Sequence, residues 1–148
     1  MRYIIIVLGL AVFLETGVFA QNHGVLFSSG TSRGTYRWQL SAERMLGTPE
    51  WTPEEQGIPL PPDKAGRLGQ DWLTKNGFAQ YSLHSVEVLR YPKPYVGNPG
   101  EQLRKRFYYR LTYDSPPEGK VMQSMYVYVL LDGTVLEPTL EPSKSSMK

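Results

Sequence analysis

Apolar and polar side chains take turns along several stretches of this chain, and the period of that alternation predicts its elements. Over residues 35–43, Tyr36, Trp38, Leu40 and Ala42 fall on one side and Thr35, Arg37, Gln39, Ser41 and Glu43 on the other. A two-residue period is that of a half-buried strand. Over residues 62–77 the period lengthens: Ala65, Leu68, Gly69, Trp72 and Leu73 share one stripe of a helix. Pro62 suits its first turn, Asp63 its positive end and Asn76-Gly77 its stop. Three strand-like runs follow, at residues 81–91, 106–114 and 121–131. The middle run alternates cleanly, with Phe107, Tyr109, Leu111 and Tyr113 opposite Tyr108, Arg110, Thr112 and Asp114. In the first run either Val86 and Val88 or Leu83 and Leu89 face inward, and a bulge accommodates both. The third is apolar on both sides, which predicts a central strand.

The segments between these elements refine the picture. Residues 47–62 hold five prolines, which excludes a long helix or a central strand there. Residues 92–105 form a long Pro/Gly loop, whereas "SPPEGK" is short enough for a hairpin between the last two runs. Asp132-Gly133 is a turn that reverses the last run into "TVLEP". The expected fold is α+β: one main helix on a curled antiparallel sheet of about four strands, within a single domain at residues 36–140. Residues 21–35, rich in Ser, Gly and Thr, read as a flexible leader, and residues 141–148 as a disordered tail.

The N-terminus changes the setting. Arg2 precedes an unbroken apolar run at residues 3–14, and Val18 and Ala20 stand where a signal peptidase reads small side chains. The run is well short of the about 20 residues that span a bilayer. It predicts a signal peptide at residues 1–20, cleavage near Ala20, and a periplasmic or secreted protein with no stable membrane span after cleavage; an uncleaved anchor is the alternative reading of the same run. The chain has no cysteine, so packing and not disulfides must hold it in an oxidising compartment. Its formal net charge of +2 does not change when Arg2 and Glu15 leave with the signal, and it favours neither nucleic acid nor a membrane surface as partner.

The helix opening "PPDKA" and the closing "YVYVLLDGTVLEP" together resemble the small PepSY-type domains of exported bacterial proteins, over about residues 60–138. The resemblance implies a PepSY-like or cystatin-like helix on a sheet. It also implies a non-catalytic role in binding or restraining peptidases or other exported proteins.

The residues themselves offer little chemistry. "LLDGT" is similar to the start of a haloacid-dehalogenase-type phosphatase site, but that site needs a carboxylate nucleophile two residues before Asp132, and Leu130 stands there. His23 and His84 have no second histidine or cysteine at ligand spacing, so no metal site and no cofactor is expected. "RKRFYYRLTY" mixes cations with rings, yet it lacks the patterns of nucleic-acid-binding sheets, and no nucleic-acid partner is expected. The protein is expected not to be an enzyme.

Eight of the ten tyrosines lie between residues 81 and 128, which draws attention to the sheet itself. If Met125, Val127 and Val129 pack under the helix, then Tyr126 and Tyr128 point away from it, and Tyr108 and Arg110 join them. Tyrosine and arginine are enriched where proteins meet. Tyr108, Arg110, Tyr126 and Tyr128 are therefore the expected protein-binding face, with another exported protein or peptide as partner. The alternative is a small-ligand carrier or enzyme with a pocket between Trp72 and the sheet.

Overall fold

The computed structural model describes residues 24–31, 33–91, 101–117 and 122–142. The expected signal peptide, residues 92–100 of the long loop and residues 143–148 of the tail lie outside the described residues. Strand β1 (Gly24–Thr31) pairs antiparallel with β2 (Gly34–Ser41), which in turn pairs with β6 (Thr139–Pro142). A second sheet has the order β3 (Ser82–Arg90), β4 (Phe107–Asp114), β5 (Ser124–Leu130), again antiparallel. Three helices complete the described residues: α1 (Ala42–Leu46), α2 (Pro62–Lys75) and α3 (Glu101–Arg104).

The class is α+β, but in place of the expected single sheet of about four strands the described residues form two sheets of three. The predicted first strand, β2, does not join the others, because both its edges are taken by β1 and β6. Two expectations about the termini are corrected with it. Residues 24–31, expected to be part of a flexible leader, form β1, and Glu141 and Pro142, expected in the tail, belong to β6. Mean composition hides an alternation in β1: Phe27 and Ser29 turn toward the second sheet, and the Phe27 ring stacks 4.3 Å from that of Tyr128. One well-placed ring and a full ladder to β2 offset the ordering of a Ser/Gly-rich strand. Gly34, at φ 137°, starts β2 where a Cβ would run into the Glu141 carbonyl of β6. The ordered domain thus begins before residue 36 and ends after residue 140.

Helix α2 forms over the predicted span and buries Ala65, Gly66, Gly69, Trp72 and Leu73. It lies on the face of the second sheet that carries Leu111, Tyr113, Met125, Val127 and Val129, all without solvent exposure. Tyr109 and Tyr113 reach from β4 to secure it: their hydroxyls donate to the carbonyls of Leu60 (2.6 Å) and Gly66 (3.0 Å). The other face of this sheet receives the β1–β2 hairpin, and Trp38 meets Tyr128 edge-on at 5.3 Å. That explains β5. It is apolar on both sides because it is covered on both, while β4 and not β5 is the central strand.

The two loops follow the same logic. Arg106, nearly buried, donates to the Thr48 carbonyl and to Glu50, and Trp51 packs edge-on against Phe107 at 5.0 Å, so the proline-rich loop is clamped to the start of β4. Asp132-Gly133 makes the expected reversal: Gly133 has φ 87°, Asp132 accepts from the Thr134 amide at 2.9 Å, and Val135 bridges back to Val129.

Candidate functional site

The four residues expected to form an open binding face do share one face of β4 and β5, but it is not open. Tyr108 and Tyr128 are only 3 % and 2 % exposed, sealed under Phe27 and Trp38. Burial pushes both hydroxyls above the ordinary tyrosine pKa. Arg110 and Tyr126 sit at the half-buried margin of this face. The Arg110 guanidinium bonds Glu87 at 2.6 Å and lies 5.5 Å from the centre of the Tyr126 ring. That hydrogen bond lowers the Glu87 pKa and raises that of Arg110. The discrepancy has a physical origin: the expected fold held one sheet, and so nothing to cover its second face.

A different feature stands open on the helix side. A register shift between Leu83 and Ser85 in β3 inserts one residue, so that Leu83 and Val86 face the same way and Leu89, opposite Tyr108, faces the other. The bulge thus groups Leu83 with Val86 and Val88, and the alternative that pairs Leu83 with Leu89 on one face does not hold. Between β3 and the first half of α2 runs a groove of about 370 Å³, lined by Pro62, Asp63, Gly66, Arg67, Leu83 and Val86. Asp63 and Arg67, one turn apart on α2, bond each other at 2.7 Å along its helix side, so their charges are already matched.

The groove borders the outer edge of β3. Among the described residues β3 pairs only with β4. Tyr91 donates its amide to the Arg106 carbonyl at 2.9 Å, and the register continues as Leu89 with Tyr108 and Glu87 with Arg110. In an antiparallel ladder every second pair is hydrogen bonded, so Leu89 and Glu87 turn their backbone groups toward β4. Val86, Val88 and Arg90 consequently turn theirs outward. Leu83 and Val88 are among the exposed large apolar side chains, and both belong to this strand.

Other polar groupings have no such opening. Asp114 lies between His84 (3.0 Å) and Ser124 (2.6 Å), an order in which the carboxylate and not the imidazole touches the hydroxyl. A histidine that does not reach the serine cannot take its proton. Among the described residues no three His, Cys, Asp or Glu side chains gather as a metal site would require. Trp72, expected to border a ligand pocket, is buried and donates its Nε1 hydrogen to Glu137 at 2.9 Å. The groove lies toward the other end of the helix, from Pro62 to Gln70.

The edge of β3 escapes sequence reasoning because strand order is invisible to a period-2 pattern. The bulge and Gly66, a glycine inside a helical stripe, are the signals that point there. No family model matches the chain, and no curated protein or solved structure matches it either.

Proposed function

We propose that this chain is an exported, non-catalytic domain that binds an extended segment of another envelope or secreted protein by adding it to β3 as a strand. The observation that carries the reading is the outward row of backbone groups at Val86, Val88 and Arg90, next to the α2–β3 groove. Such a row is complementary to one thing in particular, another backbone in the extended conformation. The hydrogen bonds give affinity without regard to sequence, and the groove beside them receives side chains.

The N-terminal pattern supports the exported setting. The PepSY-like or cystatin-like character belongs to this proposal too, for the half of the molecule in which α2 lies on β3, β4 and β5. A peptidase held by such an edge would be restrained in the manner that resemblance implies. The expected face at Tyr108 and Tyr128 serves as core in this reading, and the binding role moves to the opposite side of the same sheet.

Val88→Pro tests it. Proline removes an amide that points away from β4 and is tolerated at a free edge. Octapeptides selected from a random display library on the wild-type protein should lose at least about tenfold in affinity for the variant, since an amide bond and its steric fit are lost together. Unaltered affinity, or a library that yields no binder to the wild type, would refute strand addition.

A further inference from the structure

We infer that the α2–β3 groove is a pocket for one large apolar side chain of the bound segment, and that Gly66 is the residue that sets its depth. This rests on the strand-addition reading. Two glycines on the same helical stripe differ in what surrounds them. A Cβ at Gly69 would collide with Leu111 and with the Tyr113 hydroxyl, so the packing of α2 on β4 demands glycine there. A Cβ at Gly66 would meet one atom, Leu83 Cδ2, at 3.5 Å, an ordinary contact.

Packing therefore does not require Gly66, although glycine is among the least favourable residues inside a helix. What a side chain at this position would change is the floor of the groove. Leu83 and Val86 line the β3 side, Pro62 lines the α2 side, and Asp63 and Arg67 of α2 are paired with each other. An apolar side chain can enter without stripping water from an unmatched charge, and a charged one finds no partner.

The position of the pocket agrees with the position of the strand. A segment added to β3 would lie about 4.8 Å beyond it and would turn alternate side chains to the α2 side of the sheet. One of them, across from Val86, comes to the mouth of the groove. The ligand class is accordingly an extended peptide with a Leu, Ile, Met or Phe at that point and no demand for charge beside it.

The test uses the same octapeptide library on the mature protein. Peptides selected by the wild type should share one large apolar position. Gly66→Ala should resist denaturant better than the wild type, yet bind those peptides about tenfold more weakly, with the greatest loss for the largest side chain. Val88→Pro should lose all of them regardless of that side chain. If Gly66→Ala keeps both affinity and preference while Val88→Pro loses binding, the pocket is refuted and strand addition stands. If Val88→Pro binds like the wild type, strand addition itself fails. A wild-type dimer in sedimentation that Val88→Pro converts to monomer would assign the edge to a second copy of the chain, and would overturn the peptide assignment.

Discussion

Gly66→Ala and Gly69→Ala are chemically identical changes one helical turn apart, and they should move stability in opposite directions. Each removes the helix penalty of glycine, a gain of up to about 1 kcal/mol. At Gly66 the new methyl makes an ordinary contact with Leu83 and leaves the Tyr113 hydroxyl bonded to the Gly66 carbonyl, so most of that gain should survive. At Gly69 the methyl enters space held by Leu111 and Tyr113, both without solvent exposure, and overpacking of this kind costs about 1–3 kcal/mol. Moving Tyr113 also endangers its 3.0 Å bond to Gly66, at about a further 1 kcal/mol. The net expectation is a gain of about 0.5–1 kcal/mol for Gly66→Ala and a loss of about 1–3 kcal/mol for Gly69→Ala. Urea titrations followed by tryptophan fluorescence would separate them, since Trp38 and Trp72 are buried. A stabilised Gly69→Ala would refute the close approach of α2 to β4, and with it the geometry of the groove.

Tyr128→Ala should destabilise by about 3–5 kcal/mol, since it empties the space between Phe27, Trp38 and Tyr108; a change below about 1 kcal/mol would show that the hairpin does not cover this face. Raised pKa values make the folded state hold its tyrosine protons more tightly than the unfolded state, so the stability they contribute is complete below the ordinary pKa of 10.0 and declines as pH rises toward about 12, where Tyr109 and Tyr113 titrate. Ultraviolet difference absorbance should show these tyrosines ionising together with unfolding, and independent titration of every tyrosine near pH 10.0 would contradict their burial. Phe27→Ser should loosen β1 from Tyr128 and speed amide exchange along Gly24–Thr31 while α2 keeps its protection; equal protection in both would remove Phe27 from its anchoring role.

Local periodicity makes α2, β2 and β4 legible in the sequence: α2 and β2 each present one apolar face to the core, and β4 keeps its alternation because Arg110, Thr112 and Asp114 stay only half-buried on the hairpin side. The Asp132-Gly133 reversal is equally plain, since its requirement for a positive φ and a side-chain acceptor is met within four residues. What lies beyond reach depends on distant pairings. β1 has a single large aromatic side chain, Phe27, whose worth comes from Tyr128, about a hundred positions later. β6 is exposed throughout and gains its order from the backbone ladder to β2. The apolar character of β5 is visible in the sequence but its cause is not: cover on both faces, and not a central place in the sheet, accounts for it. The site follows the same pattern. Tyr108, Arg110, Tyr126 and Tyr128 share a face as expected, but whether that face meets water is decided by a hairpin whose composition suggests a flexible leader.

Amide hydrogen exchange across the sheet reports strand addition at β3 residue by residue. When a selected octapeptide is added, the amides of Val86, Val88 and Arg90 should exchange much more slowly, while those of Glu87 and Leu89, already bonded to β4, should change little. Protection that appears instead around Arg110 and Tyr126, or that fails to alternate along β3, would contradict the addition of a strand at this edge.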